Sequence, residues 1–252
     1  MKSSIENIGG LQCCVVDDLP AAATPKMIVV LCHGYGASGS DLIPLGQMLL
    51  RNQQISSEVQ FLFPEAPLSL EEIGMPDARA WWPIDMRRLQ MAVAVGNFRD
   101  LRKEAPPALP ASRDLLMRLI TEWSQRSNVP LSHFVLGGFS QGAMLTTDVT
   151  LQLEENPAGL IVLSGTLQNE DAWQKLAPRN KGLRVLQSHG TQDPILPFAA
   201  AGWLRDLLTS AGIDVDFLPF AGGHEIPFEV LNRMQSFVLS LLKDDRFTGT
   251  VE

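Results

Sequence analysis

Gly138-Phe139-Ser140-Gln141-Gly142 sets a serine between two glycines in the spacing G-x-S-x-G. An apolar run, Phe134 to Leu136, precedes it, and a helical stripe, Leu145, Val149 and Leu153, follows. A strand turning that sharply into a helix forces the serine into a strained backbone conformation, and side chains two residues either side would collide. Glycine removes the collision. The Ser140 hydroxyl would then stand at a strand end above a helix N-terminus, where developing negative charge is favoured. A small-residue turn without chemistry has the same letters, so the motif acquires meaning only with partners.

A serine needs a general base, and the base needs an orienting acid. In strand–turn–helix sites of this kind the chain order is Ser, then Asp or Glu, then His. Of the four histidines, His33 and His133 precede Ser140, whereas His189 and His224 follow it. His224 lies in "AGGHEIP", between a strand-like run and the last helical stripe, a loop from which an imidazole can reach over a sheet edge. His189 ends a strand-like run in "SHGTQDP" and reads as a packed or hydrogen-bonded residue holding that turn. Position favours His224 as the base. Asp193, in "HGTQDPILP", sits at a strand's C-terminal end, the edge where α/β sites form. Asp214 and Asp216 flank the start of the next strand, on the opposite edge, and Asp171 lies in a polar connection. The competing reading of Asp193 is an Asp-Pro turn residue.

Acyl-transfer chemistry also needs two backbone N–H donors aimed at one oxygen. Gln141, directly after the serine, supplies one; "LCHGYGASG", which ends the first long apolar run, supplies Tyr35 N–H as the other. Gly34, Gly36 and Gly39 let that backbone approach a substrate closely. The same run is no phosphate loop, for it lacks the lysine. It fits G-x-G-x-x-G only with the last glycine misplaced, so no nucleotide cofactor is expected.

These residues must be held by a scaffold. Near-continuous apolar runs at 26–34, 59–67, 133–140, 159–165, 183–190 and 215–223 read as strands covered on both faces. Between them lie helical stripes: Leu115, Leu116, Leu119, Ile120 and Trp123, with Ser112 as N-cap; Trp203, Leu204, Leu207 and Leu208, ending near Gly212; and Leu231 to Leu242. The alternation predicts an α/β fold with a mostly parallel central sheet and helices on both faces. One domain over 1–252 is expected, with a loop-rich, lid-like insertion at 68–111 that shows no clear strand and is partly helical from Asp85 to Lys103. The tail "DDRFTGTVE" reads as frayed.

Composition narrows the function classes. With 45% hydrophobic and 19% charged residues, the 252-residue chain can bury a large core. The net charge is −8 and no Lys/Arg cluster stands out, which argues against a nucleic-acid partner. No apolar run approaches the roughly 18 residues of a membrane span, and the N-terminus lacks a signal-peptide core. Cys13, Cys14 and Cys32 make neither a disulfide framework nor a zinc spacing, so a cytoplasmic setting and no metal are expected.

The stretches "VVLCHGYGASGSDL", "FLFPEAP", "ARAWWPID", "FVLGGFSQGAM", "GLIVLSG", "VLQSHGTQDPILP" and "GGHEIP" occur together and in order. In that set the chain resembles the phospholipase/carboxylesterase family of α/β-hydrolases, which includes acyl-protein thioesterases and lysophospholipase-like carboxylesterases. The resemblance spans residues 28 to about 242 and implies the α/β-hydrolase fold. By it, Ser140, Asp193 and His224 match the family triad, and Tyr35 and Gln141 its oxyanion-hole positions. It also implies hydrolysis of a small-molecule acyl ester or thioester without metal or other cofactor, and homodimers of the kind the family often forms. The sequence departs from the family at "WWPID", where Pro83 is inserted and Ile84 precedes Asp85. At Ala143 it departs again, since a second glycine is common there, and 86–111 matches weakly. Leu68, Trp81, Trp82 and Phe139 are the candidates for binding the acyl chain. Acyl transfer, peptide hydrolysis, or ligand binding without turnover are the alternatives that the same constellation allows.

Overall fold

The six apolar runs are six strands of one sheet in the computed structural model, which describes residues 1–21, 23–96 and 102–248. In chain order the elements are β1 (Lys2–Ile8), β2 (Leu11–Asp17), β3 (Met27–Cys32), α1 (Ile43–Leu49), α2 (Gln53–Glu58) and β4 (Val59–Pro64). Next come β5 (Leu68–Ser69), β6 (Arg79–Ala80), α3 (Met86–Ala94), α4 (Leu109–Ser127), β7 (Phe134–Phe139), α5 (Gln141–Gln152) and β8 (Gly159–Leu163). The chain closes with α6 (Glu170–Leu176), β9 (Arg184–Gly190), α7 (Phe198–Ser210), β10 (Asp214–Phe220), α8 (Phe228–Leu241) and α9 (Asp245–Thr248).

The main sheet runs β1-β2-β4-β3-β7-β8-β9-β10. From β4 through β10 every pairing is parallel, and β2 joins β4 antiparallel. Both faces are covered, which is why the strand runs are continuously apolar. Ile28, Val30 and Cys32 of β3 pack toward α4, α5 and α7, whereas Met27, Val29 and Leu31 pack toward α1, α2 and α8. A fully buried aliphatic or aromatic side chain contributes about 1.5–3 kcal/mol, so these two layers hold the parallel strand ends in fixed register. The strand order reverses around β3, so the ends of β3 and β7 form the crevice where such sheets place their sites.

Four local readings change. The N-terminal stretch, which carries no strand in the sequence reading, is an antiparallel hairpin turning on Gly9 and Gly10 at φ 61° and 88°. Residues 68–111 do contain strands, the two-residue pair β5 and β6. The partly helical stretch expected from Asp85 to Lys103 holds α3, which Asp85 caps and which stops at Ala94, while residues 97–101 lie outside the described residues. Ser112 is not an N-cap, because α4 starts a turn earlier, with Pro110 in its first turn. Ser112 lies inside the helix and its hydroxyl donates to Trp81 O. The tail is not all frayed, since α9 buries Phe247, whose ring lies 4.5 Å from that of His133; residues 249–252 lie outside the described residues.

Candidate active site

Ser140 occupies the turn between β7 and α5 at φ 53°, ψ −118°, a conformation that a residue with a Cβ adopts only when its surroundings impose it. The imposing contacts are backbone. Ser140 N–H donates to Leu163 O at 2.8 Å, tying the turn to β8. A Cβ on Gly138 would lie 2.5 Å from Cys32 O, and one on Gly142 2.1 Å from the same atom. The two glycines therefore let the turn press against the end of β3 as well as against itself. Gly137 serves packing alone, since a Cβ there would meet Ile161 at 2.8 Å. Ala143 is accommodated by Gly165, whose own Cβ would sit 2.9 Å from that of Ala143. Ser140 caps α5 without using its side chain, which leaves Oγ free of the helix end.

The loop after β3 comes close to this turn: a Cβ on Gly34 would lie 3.3 Å from Ser140 Cβ. Its shape is fixed by His33. Ala66 N–H donates to His33 Nε2 at 3.0 Å, so the proton is on Nδ1, which donates to Gly34 O at 2.8 Å. Burial depresses the His33 pKa and keeps this ring neutral. Gly36 N–H donates to Arg79 O and Arg79 N–H to Ala37 O, both at 2.9 Å, which ties the loop to β6. Among the described residues, neither Tyr35 N–H nor Gln141 N–H donates to a backbone carbonyl.

Gln141 has a second attachment that the motif conceals. Its side chain is fully buried, accepting from Trp81 N–H at 2.9 Å and donating to Trp82 O at 2.8 Å. Trp81 Nε1 donates in turn to His33 O at 2.9 Å. One glutamine and one indole thus connect the serine turn, the loop after β3 and the 81–82 segment. Sequence reasoning missed this clamp and the role of His33. The "HG" pair was the only signal for the latter, and nothing local marks the x position of G-x-S-x-G as a side-chain clamp.

Asp193 and His224 come together across 31 residues: His224 Nδ1 donates to Asp193 Oδ2 at 2.7 Å. Gly190 makes this possible, because a Cβ there would lie 2.1 Å from Gly223 O. Gln192 N–H also donates to Gly222 O at 2.9 Å, so the two loops close on each other. Asp193 Oδ1 accepts the Ile195 and Leu196 N–H groups at 2.8 and 2.9 Å. Burial opposes the Asp193 charge, but hydrogen bonds from His189, His224 and Leu196 outweigh it and hold the carboxyl well below the usual carboxylate range. The His224 ring lies against Phe139, centroids 4.7 Å apart, one residue from the serine. The other candidate acids lie apart from this pair, with Asp214 at the start of β10 and Asp171 in the first turn of α6.

A cavity of about 340 Å³ opens beside the turn, lined by Trp82, Leu89, Met144, Leu167, Leu196 and Trp203 among others. Met144 is one helical turn after Ser140. Of the residues expected at an acyl chain, Trp82 lines this cavity. Trp81 is fully buried and not on the lining, Phe139 packs on His224, and Leu68, in β5, packs against Leu70, Ala78 and Ala80. Asp85, also on the lining, accepts from Arg88 N–H at 2.9 Å. Among the described residues no group of three His, Cys, Asp or Glu side chains is arranged to hold a metal.

The chain matches known proteins along most of its length. Residues 19–242 match the phospholipase/carboxylesterase family. The chain is 28% identical over 229 residues to acyl-protein thioesterase 1 of Neurospora crassa, covering 89% of this chain and 90% of that one. It is 27% identical over 232 residues to acyl-protein thioesterase 1 of Candida albicans, covering 89% and 96%. Among solved structures, esterase PE8 superposes with a TM-score of 0.75 at 25% identity, covering 96% of this chain and 100% of that one. A carboxylesterase from Mesorhizobium loti shares the fold at 14% identity, with a TM-score of 0.72 over 95% and 99% of the two chains. With the strained serine turn, the imidazole–carboxylate pair and a family match along nearly the whole chain, this protein belongs to the phospholipase/carboxylesterase family of serine hydrolases with the α/β-hydrolase fold.

Proposed function

We propose that the protein hydrolyses small acyl esters or thioesters through an acyl-enzyme on Ser140. The observation that carries this is the 2.7 Å bond between His224 Nδ1 and Asp193, formed beside a serine held at φ 53°. With Nδ1 donating to the carboxylate, His224 presents Nε2 as the base. It takes the Ser140 proton as Oγ attacks the carbonyl carbon. The negative charge that develops on the carbonyl oxygen is met by the Tyr35 and Gln141 N–H groups and the N-terminus of α5. His224 then returns the proton to the leaving alcohol or thiol as the carbon–oxygen or carbon–sulfur bond breaks. Water, deprotonated by the same imidazole, attacks the acyl-enzyme, releasing the acid and restoring Ser140. Asp193 remains ionised throughout and stabilises the imidazolium.

The cavity beside Met144 takes the acyl chain in this reading, with 82–89 and 102–107 as its cover. The three free cysteines, two of them fully buried, suit a reducing cytoplasm. No helix among the described residues is long and apolar enough to cross a membrane.

Fluorophosphonate labelling tests the mechanism. The folded protein should label and Ser140→Ala should not; a folded protein that fails to label, or equal labelling of the two, would refute it. Rates on p-nitrophenyl esters of increasing chain length, beside an acyl thioester, then define the substrate.

A further inference from the structure

The acid of the proposed triad is held by a second imidazole. His189, at the end of β9, has no exposed surface, and its Nε2 lies 3.3 Å from Asp193 Oδ2, the same oxygen that receives His224. Nε2 also lies 2.8 Å from Leu196 O. A carbonyl and a carboxylate both only accept, so Nε2 carries the proton; it donates to Leu196 O and sets the same N–H against Asp193 Oδ2. His189 Nδ1 is buried and has no hydrogen-bond partner among the described residues. A proton on it would be an orphaned buried donor, so the ring is the neutral Nε2–H form.

The bonds close a small circuit. His189 donates to Leu196 O and lies 3.3 Å from Asp193 Oδ2, while Leu196 N–H donates to Asp193 Oδ1. Leu196 is also a wall of the cavity. The charged and titratable groups facing the carboxylate are few. His189 comes from β9, and His224 comes from the loop after β10. Its neighbour Glu225 turns its carboxylate to Gly223 N–H, and α7 presents the Phe198 ring toward His189.

We propose that His189 is a positioning residue for the hydrolysis, a fixed neutral donor that orients Asp193 toward His224 and moderates how strongly the carboxylate attracts the imidazolium. The proposal rests on the triad reading above. Shared between two imidazoles, Oδ2 gives less of its charge to His224 than an unshared oxygen would. The carboxylate therefore holds the imidazolium less tightly as its proton passes on to the leaving group.

Two variants and one spectrum test it. His189→Met keeps roughly the volume and loses the donor, whereas His189→Gln keeps an N–H at similar reach. Loss of the donor should lower kcat about tenfold, change KM less, and move the acidic limb of kcat/KM to higher pH; His189→Gln should restore the limb. A His189→Met protein that loses only thermal stability, with the wild-type limb and kcat, would overturn the proposal, as would equal limb shifts in both variants. The ¹⁵N spectrum of the wild-type histidine rings stands independent of activity and of how the variants fold. It should show His189 protonated at Nε2 alone, and protonation at Nδ1 would overturn the assignment. Fluorophosphonate labelling of the wild type separates failure here from failure of the triad itself.

Discussion

The serine turn and the cover of the cavity lie side by side and are built in opposite ways. Every residue of α5 from Gln141 to Leu151 is buried, and the turn before it is fixed by backbone contacts too close to admit a methyl group. Helix α3 has no buried residue, and Met91 within it and Val95 at its C-cap stand exposed. Among the described residues, it is tied to the rest by an exposed Arg88–Glu104 ion pair and by the part-buried Leu89, which packs against the core. The chemistry thus sits on a part that cannot shift without clashes. The cover, which in the proposed reading meets the variable end of a substrate, is held by polar contacts worth little in water. A fold divided in this way can change its substrate by changing its cover while the reacting groups stay in place.

The comparison is broken most directly at its glycines. Gly142→Ala should cost more than about 4 kcal/mol or prevent folding, because its methyl has only backbone to displace. Gly74→Ala has nothing within 4 Å and only an unfavourable φ of 81°, so about 1–2 kcal/mol is expected. Urea unfolding of the two proteins measures the contrast, and similar losses would sink it. Next in size is Gln141→Leu, which leaves Trp81 N–H and Trp82 O without their partners. A loss of about 2–4 kcal/mol is expected from two buried unpaired groups, together with reduced kcat.

A smaller, pH-dependent effect comes from His33. Its folded pKa lies below the unfolded value, so the unfolded chain binds the extra proton first. The stability His33 contributes is complete above the ordinary histidine range and is lost as pH falls through it. Melting temperatures from pH 8 to 5 should fall less steeply in His33→Gln than in the wild type. Smallest is Arg88→Ala on the cover, where stability should change by no more than about 1 kcal/mol. Its effect should appear instead in the chain-length profile on p-nitrophenyl esters, since Arg88 borders the cavity.

Much of this was legible in the chain. The six buried strands announce themselves because parallel strands covered on both faces must be apolar throughout, and the helices between them because one face repeats at helical spacing. Where the reading slipped, the signal was weak or tertiary. The N-terminal hairpin mixes exposed polar residues with its apolar ones. Ser112 has the right residue type for a cap, yet its hydroxyl donates to Trp81 O inside a helix that begins earlier. The insertion at 68–111 lacks any strong periodicity, because so little of it is buried.

By itself the sequence determined the elements, their order, and which serine, acid and histidine were candidates to act together, because steric demands on glycine and burial demands on strands are written locally. Only the tertiary structure decided what those residues touch. The His224–Asp193 bond spans 31 residues, the Gln141 clamp reaches back 59 and 60, and His189 meets the same carboxylate oxygen as His224. Hydrogen bonds of that reach depend on where whole strands end in the sheet, which no local pattern encodes.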